Sequence, residues 1–207
     1  LFISSEMEEV VRVSDRIVVM RNAVVQQVGT PNEIYRHPNS VFVADFIGRS
    51  NFLSVTDVKS DSNGNAEVSS LGKSFAVPAH ADAKAGNSVL LVRPESITVS
   101  RQPIAGKISG QGTVNTVIYY GEHVEYTLST SAGEIVATTS DPLAEEILKV
   151  GDQASFSFEA NRAWLLPQAE ISKYKGVLFD LDGTLIDSTP AIARSWSAVL
   201  TEIGIQL

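Results

Sequence analysis

The first fifty residues mix the apolar periodicities of helices and strands. Apolar positions fall on one stripe of Glu6–Val13, which predicts a helix. The runs Asp15–Met20 and Val24–Val28 predict two strands, and the continuous apolar stretch of the first indicates burial on both faces. Asn22, in the tight turn between them, suits a positive φ.

Two helix starts close this first part. Thr30 and Glu33 have the spacing of a capping box, and Pro31 occupies the first helical position, where its missing N–H costs nothing. Ser40 can cap a further helix over Val41–Ile47. Together with the two strands, these signals predict an α/β segment.

Residues 51–168 change to short runs of β-type residues separated by clusters rich in Gly, Asn and Ser. Such spacing predicts a small β-barrel or sandwich, with one short helix over Pro142–Leu148. The predicted strands are Phe52–Val58, Ala66–Ser70, Ser74–Val77, Ser88–Val92, Gly112–Tyr120, Val124–Ser129, Glu134–Thr139, Gln153–Phe158 and Ala163–Leu166.

Residues 171–207 change again. An apolar strand, Val177–Thr184, ends in two carboxylates, and a helix with one apolar face begins at Pro190. A buried parallel strand needs neighbours and cover on both faces. A single βα unit supplies neither, so we expect this segment to be the start of an incomplete domain, and the apolar opening of the chain to be the interior of another.

Charge and composition narrow the function. The 207 residues carry a formal net charge of −8, which disfavours nucleic acid as a partner. No apolar run approaches the roughly 18 residues of a membrane span, so direct membrane insertion is not expected. The chain has no cysteine, which rules out disulfides and thiolate metal sites within it and fits the cytosol.

Four short motifs at matched spacing point to a family. They are the sequence SDRIVVM at Ser14–Met20, GTPNEIY at Gly29–Tyr35, VADFIG at Val43–Gly48 and NFL at Asn51–Leu53. This series resembles the ATP-binding subunits of ABC importers of the polyamine, iron(III), sulfate and glycerol-phosphate type. The resemblance implies that residues 1–50 are the end of an ATPase cassette.

The β-rich part continues the resemblance. VRPESI at Val92–Ile97, GTV at Gly112–Val114, YYG at Tyr119–Gly121 and VGD at Val150–Asp152 are similar to motifs of the TOBE regulatory domain appended to such cassettes. For residues 51–168 this implies an OB-like barrel that contacts partners: a second ATPase subunit in a homodimer, and the permease at the cytoplasmic face of the membrane.

Two departures bear on chemistry. Ser5 stands where these cassettes carry a switch histidine, and a hydroxyl cannot titrate near neutral pH as imidazole does. No G-x-x-x-x-G-K-[ST] loop occurs in the sequence. We therefore assign ATP and Mg²⁺ to a full-length parent, expect slow hydrolysis there, and expect neither cofactor to bind tightly to this chain.

A second resemblance begins at Phe179. The run FDLDGTLIDS is similar to the first motif of haloacid-dehalogenase-like phosphatases, and residues two apart share one face of a strand. By this resemblance Asp180 is the nucleophile and Asp182 the general acid/base. Asp180 and Asp182 also bind Mg²⁺, and Thr184 contacts phosphate. The family's later motifs do not occur here, so no phosphatase activity is expected of this chain.

The predicted fold class is mainly β: a small OB-like TOBE barrel over 51–168, flanked by a cassette remnant over 1–50 and one βα unit over 171–207. The leading function is a regulatory and dimerisation module of an importer ATPase. The alternatives are a β-barrel that senses an oxyanion or substrate, and a fused phosphatase acting on a small phosphorylated metabolite. For Arg93, a structural role at a strand end is favoured over binding a small anion.

Overall fold

The computed structural model describes Ser4, residues 7–22 and residues 24–168. The chain divides into two compact units, and within the described residues the division falls between Ile34 and Tyr35. The domain boundaries predicted at residues 50 and 168 stay predictions.

The described part of the first unit is a helix followed by a β-hairpin. Helix α1 spans Met7–Val13, and strands β1 (Ile17–Arg21) and β2 (Val24–Gly29) pair antiparallel. Asn22 turns between the strands with a φ of 52°, as predicted. In β1 buried residues alternate with half-buried ones, so the expected burial of both faces is wrong: an antiparallel strand needs only one covered face.

The capping box predicted at Thr30 is present. The Thr30 backbone N–H donates to the Glu33 carboxylate (2.8 Å), and the Glu33 N–H donates to the Thr30 hydroxyl (3.3 Å). These bonds begin helix α2, Pro31–Arg36. Ser40 caps helix α3, Val41–Ile47, by accepting from the Val43 N–H.

Three antiparallel sheets build the second unit. The first has the order β13-β7-β3, the second β4-β5-β6 and the third β11-β10-β9-β12-β8. The strands are β3 (Asn51–Ser54), β4 (Thr56–Ser60), β5 (Asn65–Ser70), β6 (Lys73–Pro78), β7 (Ser88–Val92), β8 (Thr98–Ser100), β9 (Ile108–Tyr119), β10 (His123–Thr130), β11 (Gly133–Ser140), β12 (Gln153–Phe158) and β13 (Ala163–Pro167).

All three sheets contribute to one hydrophobic core. Leu90 of β7, Val68 of β5 and Phe156 of β12 are each fully buried within the same cluster. On the other side of the first sheet, α3 places Ala44 against Leu91 in a smaller cluster. The described residues therefore form the mainly β fold that the sequence predicts.

Three local predictions differ from the structure. Pro142–Leu148 forms only a turn (Glu146 N–H to the Leu143 carbonyl, 2.9 Å), because a helix this short needs tertiary packing and only its last residue, Leu148, is buried. The predicted strand Phe52–Val58 divides into β3 and β4, next to a positive φ of 48° at Asp57. The three-residue strand β8 was not predicted.

Candidate functional site

The residues that the sequence singles out for chemistry lie outside the described part of the chain. They are Ser5, Asp180, Asp182 and Thr184. Their predicted roles stay predictions. Within the described ranges, no group of three or more His, Asp or Glu side chains is placed to hold a metal ion.

Arg93 is the best-connected polar residue of the second unit. It follows β7 and is only 5% exposed. Its Nη1 donates to the carbonyls of Ala44 (2.9 Å) and Gly48 (2.9 Å), and Nη2 donates to the Tyr35 carbonyl (3.0 Å). Arg93 thereby fastens the ends of both neighbouring helices to the sheet.

Nη1 makes two further contacts, and we call Arg93 with its five hydrogen-bond acceptors the Arg93 anchor. The Arg49 carbonyl accepts at 3.0 Å and the Ser50 hydroxyl at 2.7 Å. All five acceptors are uncharged, and burial lowers the pKa of the Arg93 guanidinium. The structural role favoured for Arg93 is the one these contacts show.

Tyr35 links the anchor to the turn that follows it. Its ring centroid lies 4.2 Å from the Arg93 guanidinium carbon, and its hydroxyl donates to the Glu95 carboxylate at 2.8 Å. Burial, followed by this hydrogen bond and the Glu95 charge, raises the pKa of Tyr35 to about 12. The phenol therefore stays a neutral donor throughout the physiological range.

Asn51 joins two sheets through its buried amide. Its Nδ2 donates to the carbonyls of Val92 (3.1 Å) and Val136 (2.8 Å), and its Oδ1 accepts from the Val136 N–H (2.7 Å). The side chain thus takes the place of a strand beside β11. Sequence reasoning placed Asn51 in a family motif but could not show this contact, because Val136 lies 85 residues away.

The hairpin between β9 and β10 presents apolar side chains to solvent. Ile118, Tyr119 and Tyr120 are 43%, 65% and 54% exposed. Two contacts close the hairpin turn: the Tyr120 N–H donates to the His123 carbonyl (2.9 Å), and the two rings stack at 4.8 Å between centroids. We call Ile118, Tyr119 and Tyr120 the hairpin strip.

An ion pair beside the hairpin ties it to the linker that follows α3. Arg49 pairs with Glu125 of β10, and the hydrogen bond and charge of that carboxylate raise the pKa of Arg49. The Glu125 side chain is only 13% exposed, whereas that of Arg49 is 66% exposed. The arrangement holds the hairpin in place without covering its strip.

Part of the second unit is similar to a known protein domain. Residues 90–166 match the TOBE domain. They contain the Arg93 anchor and the hairpin strip, and we call them the TOBE region. Among solved structures, the cytoplasmic molybdate-binding protein ModG, with molybdate bound, is 24% identical with a TM-score of 0.46; the match covers 56% of this chain and 94% of that chain.

The curated relatives are ATP-binding subunits of importers. The Fe(3+) ions import ATP-binding protein FbpC of Brucella abortus (strain 2308) is 33% identical over 168 residues, 81% of this chain and 46% of the relative. The spermidine/putrescine import ATP-binding protein PotA of Borreliella afzelii (strain PKo) is 35% identical over 159 residues, 77% of this chain and 42% of the relative. The chain therefore spans less than half of their length.

These matches confirm the predicted homology to ABC importer ATP-binding subunits, including the TOBE region. The resemblance of Phe179–Ser188 to haloacid-dehalogenase-like phosphatases stays a prediction. None of the helices in the described ranges has the length and apolarity that crossing a bilayer needs.

Proposed function

We propose that this chain is the regulatory and dimerisation portion of the ATP-binding subunit of an ABC solute importer. The observation that carries the proposal is the hairpin strip: three large apolar side chains stand exposed on a hairpin of the TOBE region. The homology to importer ATP-binding proteins supports the proposal that this surface belongs to an importer subunit.

The occupant that we assign to the hairpin strip is a second copy of the chain. A tyrosine side chain buries a large apolar area while losing the freedom of only a few rotatable bonds. Tyrosines are also enriched among the residues that contribute most to the binding energy of interfaces. A symmetric pair would bring the same strip of each copy into one contact. The partner barrels would then stay together while their cassettes separate after ATP hydrolysis.

The remaining partners and cofactors belong to the longer protein. We infer that a full-length parent binds ATP and Mg²⁺ through cassette residues that this sequence does not contain, and that it attaches to permease subunits at the cytoplasmic face of the membrane. In this account the described residues perform no chemical step. They position two cassettes relative to one another.

Sedimentation equilibrium tests the proposal on the chain as it stands. We expect the mass to rise with protein concentration from 22.2 kDa toward twice that value. The double substitution Tyr119→Ser with Tyr120→Ser removes the exposed rings, so it should hold the chain at its monomer mass.

The matched control is Val150→Ser, which removes an apolar side chain that is 65% exposed outside the hairpin. It should associate like the wild type. A wild-type chain that stays monomeric at every concentration would contradict the proposal. Equal association of the wild type and the double variant would contradict it as well.

A further inference from the structure

A groove with a volume of about 300 Å³ opens beside the Arg93 anchor. It lies between the end of α2, the turn after β7 and the segment that leads into β13. Its walls include Arg36, Lys107 and Arg162, and its aromatic wall is Trp164. None of the hairpin strip residues lines it, so it is separate from the surface proposed for self-association.

The charge of the groove is opposite to that of the chain. Four cationic side chains line it (Arg36, Arg93, Lys107 and Arg162), against two carboxylates, Glu95 and Glu159. The whole chain carries a formal charge of −8. A concave positive patch on an acidic protein focuses potential on its contents and attracts anions.

Both carboxylates of the groove already have partners. Glu95 accepts from the Tyr35 hydroxyl at 2.8 Å, and Glu159 pairs with Lys107 at 3.7 Å. Arg36 and Arg162 are exposed and make no ion pair with any described residue. Two guanidinium groups therefore remain available to a ligand.

Arg93 supplies a second indication that the groove takes an anion. Its side chain is buried and lines the groove, and its hydrogen-bond acceptors are all uncharged. Its Nε has no hydrogen-bond partner among the described residues. An unpaired donor on a buried cation is costly, and an anion in the groove would offset part of that cost.

The aromatic wall is fixed in position. The Trp164 Nε1 donates to the Pro38 carbonyl at 2.9 Å, and the His37 ring lies 4.6 Å from the indole between centroids. An apolar wall of this kind gives an organic ligand a surface to pack against, beside the charged groups that orient it.

We propose that this groove binds a small organic anion that carries several phosphate or carboxylate groups. A guanidinium group can donate two parallel hydrogen bonds to two oxygens of a carboxylate or a phosphate, and the volume suits a compact metabolite rather than a polymer. A ligand bound there would contact both the end of α2 and the start of β13, and would therefore restrict the motion of one relative to the other.

The chain's own tryptophans provide the test. It has two, Trp164 and Trp196, so a Trp196→Phe background leaves Trp164 as the only reporter. Pyrophosphate and citrate are titrated separately at constant ionic strength, with glucose as the neutral probe. We expect a saturable change in Trp164 emission with at least one of the two anions and none with glucose.

Substitutions then locate the site. Arg36→Gln and Arg162→Gln should each weaken binding about tenfold, the loss expected when one charge-assisted contact is removed. The matched control is Arg16→Gln, which removes an exposed arginine outside the groove and should leave the affinity unchanged. Circular dichroism checks that each variant is folded.

Two results would overturn this site. One is the absence of saturable binding with both pyrophosphate and citrate. The other is an equal loss of affinity in Arg16→Gln and the two groove variants, which would show attraction by net charge alone. Neither result bears on self-association, because the sedimentation measurement is made without these anions.

Discussion

At the scale of single residues, buried polar side chains of the second unit form hydrogen bonds to backbone groups that are distant in sequence. Arg93 satisfies the carbonyls where α2 and α3 end, and Asn51 satisfies Val92 and Val136. A buried polar group stabilises only while its partners are present, since an unpaired one costs more than a paired one gains. These residues therefore fix the arrangement of the elements.

Asn51→Ala tests this at one position. The change removes three hydrogen bonds of a buried side chain, one to the Val92 carbonyl and two to the backbone of Val136. We expect the free energy of unfolding to fall by about 3 kcal/mol, measured by urea denaturation followed by circular dichroism. The control Asn63→Ala, at an exposed turn position, should change it by less than about 0.5 kcal/mol.

The outcome that would contradict this account is an Asn51→Ala variant as stable as Asn63→Ala.

Only some of the polar contacts in the structure could be predicted from the sequence. The Thr30–Glu33 capping box was predictable because both partners lie within one turn of helix. The contact of Asn51 with Val136 was not, because only the folded topology brings positions so far apart together.

At the scale of elements, strands with strong alternation and clear turns were predicted at their true limits. Strands β7 and β12 are examples, because Val, Leu and Phe residues stand between well-marked loops. Strand β9 was predicted to begin at Gly112 but begins at Ile108. The structure uses one glycine of this stretch, which the prediction left outside the strand, for close approach across the sheet.

Gly110 is that glycine. It pairs directly with Phe156 of β12, and a Cβ added to it would lie 2.4 Å from the end of the phenyl ring. The ring is fully buried, and atoms this close must shift. We expect Gly110→Ala to lower the free energy of unfolding by about 1–3 kcal/mol, the usual cost of an overpacked core.

Phe156→Leu supplies the control. It destabilises on its own by opening a cavity, but it also removes the ring atoms that a new Cβ would meet. The double variant should therefore lose less stability than the sum of the two single variants. Strict additivity in thermal or urea unfolding would show that the ring does not restrict Gly110.

At the scale of the whole molecule, three sheets of the second unit share one hydrophobic core. Its buried polar side chains Arg93 and Asn51 donate hydrogen bonds to the protein's own backbone. We assign both proposed functions to its surface: self-association to the apolar strip on the β9–β10 hairpin, and anion binding to the positive groove beside Arg93.

The absence of cysteine from the chain allows the central claim to be tested by proximity. Glu122→Cys and Val150→Cys each introduce one thiol at an exposed position, the first in the hairpin turn beside the strip, and a short bis-maleimide joins thiols that two copies bring close together. We predict covalent dimers from Glu122→Cys and little product from Val150→Cys. Equal yields from the two variants, or no dimer from Glu122→Cys where that variant sediments above its monomer mass, would contradict contact through the hairpin strip.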